Sequence, residues 1–96
     1  MIRKNIQFGS LEDVTVLEFG KGDIQVQPAI GDDYAAVLFK SDEEYPIGTE
    51  HETKGKDSDW FKTEIAMTFT NVDSLDVVVK KLKEARKYLT NKKKLN

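Results

Sequence analysis

The sequence predicts an α+β domain: a mostly antiparallel sheet of five or six strands in a β-meander, with one C-terminal amphipathic helix packed on it. Short runs with strand character, either alternating with period two or nearly continuously apolar, recur through the first 70 residues, and glycine-containing links separate several of them. After Asn71 the period changes to 3.6. With 96 residues and no internal repeat, the chain has the size of one domain, which we place at 1–91, followed by a basic C-terminal tail at 92–96.

The first three strands are predicted from the pattern of their apolar residues. In "IRKNIQF" the apolar face is interrupted by Lys4, which indicates an edge strand. "VTVLEF" has apolar residues on both faces, so we expect it to be central in the sheet or covered on both faces. In "DIQVQPAI" the even-numbered side chains from Ile24 to Ile30 are expected to face the core, with Gln25 and Gln27 facing outward. Its proline belongs at a strand end or on an edge, because proline donates no hydrogen bond to a ladder.

Two later strands complete the predicted sheet. "YAAVLFK" is nearly continuously apolar and is expected to be central or covered on both faces. "WFKTEIAMTFT" alternates, with Phe61 and the odd-numbered residues 65–69 expected inward and Lys62, Glu64 and Thr68 outward. The links "FGKGDI" and "IGDDY" predict tight hairpin turns, which would join the second, third and fourth strands into a meander. "GSLED" is compatible with one helical turn or an Asx-type loop.

The last element is an amphipathic helix predicted over 72–91. Asn71 is a natural N-cap, and Asp73 and Asp76 add negative charge near the helix N-terminus. One apolar stripe, expected to cover a face of the sheet, contains Leu75, Val78, Val79, Leu82, Ala85 and Leu89. Val77 and Tyr88 lie opposite this stripe, with Lys81 and Glu84 beside them. This back face is compatible with scattered surface residues or with a second contact surface for another subunit.

Charge is distributed unevenly along the chain. Residues 1–79 carry 7 Lys/Arg and 16 Asp/Glu, a balance of −9, whereas residues 80–96 carry 8 Lys/Arg and one acid, a balance of +7. The basic end is compatible with a solvated helix terminus, where cations interact favourably with the helix dipole. It is equally compatible with contact to an acidic surface, including that of another copy, or with phosphate binding.

The segment 41–60 is the most acidic part of the chain, with seven carboxylates around the only histidine, His51. It does not fit an EF-hand, because with Asp57 in the first position the sixth is Lys62 instead of glycine. A zinc site from His51 and its two flanking glutamates is disfavoured, because adjacent residues of an extended chain point to opposite faces. Residues 44–49 are expected to be ordered, as an edge strand, and residues 50–59 to form a flexible tip. Trp60 is compatible with packing under this loop or with contact to a partner or a base.

Several classes of function are disfavoured by the composition. The chain contains no cysteine, which excludes disulfides and thiolate chemistry. No serine lies in a G-x-S-x-G elbow, and "GKGD" lacks the spacing of a phosphate-binding loop, so we expect no enzyme. No cofactor or metal is expected. No apolar run has the length of a signal peptide or a membrane span, so a cytoplasmic location is expected.

The run "IQFGSLEDVTVLEFGKGDIQVQPAI", the later "AAVLFK" and "EYPIGTE", and the end "MTFTNVDSLDVVVKKLKEA" resemble small uncharacterised phage and prophage proteins of low-GC Gram-positive bacteria. The resemblance covers most of the chain, and its motifs concern the fold instead of any chemistry. It implies a phage-type accessory protein located in the host cytoplasm. Such small acidic domains act by binding host proteins, by sequestering nucleotide signals in oligomers, or within virion assembly.

The function predicted from these features is non-enzymatic protein binding, with the chain assembling into a homo-oligomer. The candidate partner-binding residues are Val77, Lys81, Glu84, Tyr88, Glu43, Glu44 and Tyr45. The alternative is an oligomer that captures an anionic small ligand such as a nucleotide, through Trp60, Lys80, Lys83, Arg86 and Lys87. A third possibility is that the acidic body mimics nucleic acid and occupies a basic groove of another protein. Binding to nucleic acid itself or to a membrane is not expected.

Overall fold

The computed structural model describes residues 1–51 and 61–95, and over these residues the chain is an α+β fold. The strands of these described residues are β1 (Ile2–Phe8), β2 (Leu11–Leu17), β3 (Ile24–Ile30), β4 (Ala35–Ser41) and β5 (Ile65–Phe69), and α1 (Val72–Leu95) is the C-terminal helix. The fold class and the C-terminal helix are confirmed. The single meander of five or six strands is wrong, because β1 and β2 form one antiparallel sheet and β3, β4 and β5 form another.

The hairpin of β1 and β2 is closed by Gly9 and Ser10, since Phe8 pairs with Leu11. Gly9 adopts φ 62°, which a two-residue hairpin turn requires and glycine tolerates. "GSLED" is therefore a hairpin turn and the start of β2, instead of a helical turn or an Asx-type loop. The register shifts between Arg3 and Ile6, where Asn5 has φ 55°, so the interrupted apolar face of β1 corresponds to a bulge.

Residues 18–23 carry the chain from one sheet to the other. Gly20 and Gly22 adopt φ 144° and 74°. The Gly22 carbonyl accepts a hydrogen bond from the Tyr45 N–H at 3.0 Å, and the Asp23 carbonyl accepts one from the Asp42 N–H at 2.9 Å. Residues 22–23 of the link therefore hydrogen-bond with residues 42–45, which follow β4, and β2 pairs with β1 instead of with β3. The tight turn predicted at "FGKGDI" and the central position predicted for β2 are wrong.

The hairpin of β3 and β4 agrees with the sequence prediction. Ile30 pairs with Ala35, and the Gly31 N–H donates to the Tyr34 carbonyl at 2.9 Å across the two aspartates of "IGDDY". β4 is the middle strand of its sheet, as its continuous apolar character predicts. β3 and β5 are consequently its edges.

One face of this sheet holds the larger part of the core. Ala36 and Leu38 of β4 and Phe61 are buried together, and Ala29 of β3 packs against them. The Nζ atom of Lys40 lies 5.6 Å from the centre of the Phe61 ring. We name this side of the sheet the Phe61 face. Phe61 was predicted to share a face with Ile65, but β5 begins only at Ile65, so strand alternation does not fix the side of Phe61.

The opposite side, the Phe39 face, is apolar but only partly covered. Directly paired residues lie on the same side of a sheet, so the register places Val26, Ile30, Phe39 and Met67 on this face. Phe39 is buried, and the Phe19 ring meets it edge-on with the two centres 6.0 Å apart. Ile30, in contrast, is 90% exposed. The inward side predicted for β3 is wrong, since Gln25 and Gln27 are half-buried on the Phe61 face while Val26 and Ile30 are exposed.

Helix α1 begins where the sequence predicts and ends four residues later. The Oδ1 atom of Asn71 accepts a hydrogen bond from the Ser74 N–H at 2.8 Å, which confirms the N-cap. Leu75 and Val78 are half-buried near β5, whereas Leu82 and Leu89 of the same stripe are 62% and 64% exposed. The prediction that the helix covers a sheet face therefore holds only for its first two turns.

Candidate functional site

A groove of about 730 Å³ lies beside β3 and is the candidate site. Its walls come from the link between the two sheets, the first half of β3, the loop after β4, and Leu89 of α1. All four β3 residues at 24–27 line it, although neighbouring side chains of a strand point to opposite faces. A groove with this lining runs along the edge of the strand, so the β3 backbone forms part of its floor.

The free edge of β3 can be located from its ladder with β4. The pairs Asp23 with Asp42 and Gly31 with Tyr34 are hydrogen-bonded, so the odd-numbered residues between them direct their N–H and C=O groups toward β4. The even-numbered residues direct theirs outward. No group among the described residues hydrogen-bonds the outward groups of Ile24 or Val26. Pro28 lies at one of the outward positions, where its missing N–H leaves the ladder intact.

Polar groups surround this edge at its Ile24 end. The side-chain amide of Gln25 donates to the Oδ2 atom of Asp42, and the Glu43 N–H donates to its Oδ1 atom at 2.8 Å. Asp23 pairs with the amino group of Met1 at 2.7 Å, which ties the hairpin to the start of β3. Glu50 and His51 also line the groove. Because Asp23 is neutralised by the Met1 ammonium group, Asp42 and Glu50 supply the negative charge of the groove, and no Lys or Arg lies among its described lining residues, so the groove favours a cationic guest.

The loop after β4 closes one side of the groove. The Thr49 N–H and hydroxyl both donate to the Pro46 carbonyl, at 3.1 and 2.6 Å, and the Tyr45 ring meets His51 edge-on with the ring centres 4.9 Å apart. Residues 44–49 therefore form a hydrogen-bonded turn, and the predicted edge strand is wrong. Ile47 is 74% exposed within this turn and lines the groove, so the loop presents an apolar side chain to an incoming molecule.

The pKa of Asp42 is set by opposing effects. Partial burial would raise this pKa, but the hydrogen bonds from the Glu43 N–H and the Gln25 amide, together with the charges of Lys40 and His51, outweigh it and lower the pKa. A lowered pKa in the folded state means that ionised Asp42 stabilises the fold above its unfolded value of about 3.9. That contribution is lost as the pH falls through the folded pKa.

We expect Asp42→Asn to weaken the pH dependence of stability on the acid side. In the wild type, the free energy of unfolding should fall as the pH drops below about 4. At these pH values the Asp42 carboxylate binds a proton more readily in the unfolded chain than in the folded one, so acid favours the unfolded state. In the variant this part of the fall should be absent, although stability near neutral pH is lower. Urea unfolding at a series of pH values measures the difference. Glu43→Gln is the matched control for net charge, and an equal effect of both variants would contradict the assignment to Asp42.

The predicted partner-binding residues fall into two groups. Val77, Lys81, Glu84 and Tyr88 lie on one face of α1, and the Lys81 Nζ atom is 3.3 Å from the Glu84 Oε2 atom. Val77 and Tyr88 are exposed beside this ion pair.

The second group lies in the loop after β4. Glu43, Glu44 and Tyr45 are exposed, but of the three only Tyr45 lines the groove.

The predicted ligand-binding residues are not gathered at the groove. Lys80, Lys83 and Lys87 recur on one side of α1, Arg86 lies within its apolar stripe, and all four are exposed. Trp60 and residues 52–59 of the predicted loop tip lie outside the described residues. The carboxylates make the groove a poor receptor for an anionic ligand, so capture of a nucleotide would have to use the side chains of α1.

Other kinds of site were sought in the same residues. Over 1–51 and 61–95, no three His, Asp or Glu side chains are placed to hold a metal ion together. In the part of the chain that the structure describes, no helix has the length and apolar character needed to cross a bilayer.

Sequence reasoning missed the groove, because its residues come from segments that are distant in the chain. The one signal was Pro28, which indicated an edge in an otherwise regular strand. The fold and groove together define a small α+β domain with an open strand edge and an acidic, partly apolar cleft. Comparison of the chain with family models, with curated proteins and with solved structures found no match.

Proposed function

We propose that this chain is a non-enzymatic binding protein that assembles with copies of itself through α1 and acts on a protein partner. The observation that carries the proposal is the exposure of the apolar stripe of α1 beyond its second turn. Val79 and Leu82 belong to a stripe that a folded helix normally buries, and both are exposed in the single chain, whereas Leu89 of the same stripe lines the groove beside β3. A second copy offers the same stripe, so an isologous contact would cover both.

The dimensions of the single chain support self-association. Its radius of gyration is 15.3 Å, whereas a compact chain of this length has about 12.5 Å. Its accessible surface is 8129 Å², whereas a monomeric protein of 10.9 kDa exposes roughly 5,600 Å².

Charge supports the same assembly. Residues 80–96 are strongly basic, whereas the first turns of α1 carry Asp73 and Asp76, so an antiparallel contact of the two helices places the basic end of each over the acidic start of the other. Once the stripe is covered, the back face with Val77 and Tyr88 and the exposed acidic residues Glu43 and Glu44 remain for a partner. A phage-type accessory role in the host cytoplasm, which the sequence resemblance implies, belongs to this proposal. A pull-down from a host lysate is its test.

The test of self-association uses the same substitution on the two sides of α1. Leu82→Glu places a charge in the stripe, and Tyr88→Glu places one on the back face. We expect the wild type to be a discrete oligomer, and Leu82→Glu to weaken a dimer by roughly 100-fold or more, because each lost leucine burial costs about 1.5–3 kcal/mol. Tyr88→Glu should keep the oligomer and weaken the contact that the back face makes with the partner.

Light scattering coupled to size exclusion, and native mass spectrometry, measure the mass of each variant across a concentration series. Circular dichroism checks that the helix is retained, which is expected because both positions are exposed. A wild type that stays monomeric at all concentrations would rule out self-association. An oligomer that resists Leu82→Glu but dissociates with Tyr88→Glu would move the interface to the back face.

A further inference from the structure

We infer that the groove beside β3 receives an extended segment of a partner protein, with alternating basic and apolar side chains, which adds to the sheet as a strand along Ile24 and Val26. The inference rests on the proposed function and names the chemistry of the partner and its place on the fold. Three properties of the groove carry it: an unpaired backbone edge, exposed apolar walls and an acidic rim.

The unpaired backbone edge of β3 can supply the main-chain hydrogen bonds that give affinity when a peptide adds to a sheet as a strand. Ile24 and Val26 each direct one N–H and one C=O outward into the groove, with no partner among the described residues. A strand laid alongside can form four hydrogen bonds with them. Pro28 offers only its carbonyl, so the added strand is short and its pairing is confined to the groove.

The walls supply pockets for alternate side chains. On the side of the Phe39 face, Phe19, Val26 and Leu89 line the groove, and Ile47 lies on the loop. A strand added beside β3 directs every second side chain toward this face, where these apolar groups can cover it. The apolar positions of the guest therefore recur with period two.

Charge decides between a partner and a second copy of the chain. Asp42 and Glu50 line the groove as acidic side chains, beside Asp23 with its charge neutralised by the Met1 ammonium group, and no lysine or arginine lines it among the described residues. If two copies paired their β3 edges, two acidic rims would meet, and like charges across an interface oppose binding. A basic extended segment meets the same rim with attraction, so the remaining side chains of the guest are lysines or arginines.

The test uses three labelled peptides with blocked ends and the full-length protein. The first alternates lysine and valine, the second alternates glutamate and valine, and the third alternates lysine and glycine. We expect saturable binding of the first only, measured by fluorescence anisotropy and weakened by salt. In nitrogen-15 NMR spectra, the amide signals of residues 24–27 should shift, and hydrogen exchange of the Ile24 and Val26 amides should slow.

Two proline variants separate strand addition from charge attraction. Val26→Pro removes an outward N–H inside the groove and leaves the ladder with β4 intact. It should therefore lower the affinity for the lysine–valine peptide by at least about tenfold. Ile30→Pro removes the equivalent outward group of the same strand outside the groove and should bind like the wild type. If Val26→Pro does not fold, the wild type is titrated instead with a lysine–valine peptide that carries N-methyl groups on alternate amides. This peptide should bind the wild type at least about tenfold more weakly than the unmethylated one.

The inference is overturned if the lysine–valine peptide does not bind the wild type, if Val26→Pro binds as well as Ile30→Pro, or if the NMR shifts lie on α1. It is likewise overturned if the lysine–glycine peptide binds equally well, since charge alone would then explain the affinity. The mass of the same samples is measured in parallel. If the protein is a monomer and still binds the peptide, the self-association proposed above is contradicted and the assignment of the groove is supported. If it is an oligomer and binds no peptide, self-association is supported and the assignment of the groove is contradicted.

Discussion

Phe61→Ala is expected to lower the free energy of unfolding by about 3–5 kcal/mol, the usual cost of removing a fully buried phenylalanine. Phe61 is only 3% exposed and covers Ala36 and Leu38, so its loss opens the core on the Phe61 face. A domain of 96 residues has a total stability of roughly 5–14 kcal/mol, of which this is a large part. Urea unfolding followed by circular dichroism measures the change.

Phe8→Ala is the matched control for this substitution. The chemical change is the same, but Phe8 is 58% exposed on the hairpin, so we expect a loss well under 1 kcal/mol. The protein concentration is held constant, so that a change in assembly does not enter the comparison. Similar losses in the two variants would show that Phe61 does not hold the core together.

Gly22→Ala is expected to destabilise the fold by about 3 kcal/mol or more. Gly22 has φ 74°, a conformation that costs other residues about 1–2 kcal/mol. A Cβ atom at this position would also lie 1.8 Å from the carbonyl oxygen of Tyr45, and that oxygen belongs to the backbone and cannot rotate away. The link between the sheets would have to separate from the loop after β4, which also opens the groove.

Gly48→Ala separates these two causes. Gly48 has φ 90°, so it too has a conformation that disfavours alanine, but nothing lies within 4 Å of the position of its Cβ atom. We expect it to lose only the conformational part, about 1–2 kcal/mol. Thermal or urea unfolding of both variants tests this. An equal loss in the two would mean that the contact between Gly22 and Tyr45 does not constrain the fold.

Local features of the fold were predictable from the sequence because their causes are local. Asn71 marks the start of α1 through its own side chain, and "IGDDY" encodes a two-residue turn. The strand β4 was recognised as central from apolar residues on both of its faces. In each case a few neighbouring residues determine the backbone conformation.

The pairing of the strands was not predictable from such local patterns. The glycines of "FGKGDI" indicate that the chain changes direction, but whether it reverses into a hairpin or crosses to another sheet depends on the contact of Gly22 with Tyr45. Alternation in β3 separates its two faces without showing which one is covered. Phe61, distant in sequence, covers the face with Gln25 and Gln27, while α1 leaves Val26 and Ile30 exposed.

Of the two candidate surfaces, one was predictable from the local sequence and the other was not. The back face of α1 follows from helical periodicity, and the Lys81–Glu84 ion pair agrees with it. The groove needs the tertiary structure, because the edge of β3, the turn at Ile47 and Leu89 meet only in the folded chain. Its acidic character was visible in the composition of the loop, but the unpaired groups of Ile24 and Val26 were not.

The proline in β3 has a consequence for the solubility of the protein. Chains with open strand edges tend to stack edge to edge into fibrils, and each added copy exposes a fresh edge for the next. Here the missing N–H of Pro28 interrupts the row of donors halfway along β3, so a copy that docks cannot continue the ladder to Ile30. We therefore expect copies that meet along β3 to pair over a short stretch only, which disfavours growth of a fibril from this edge.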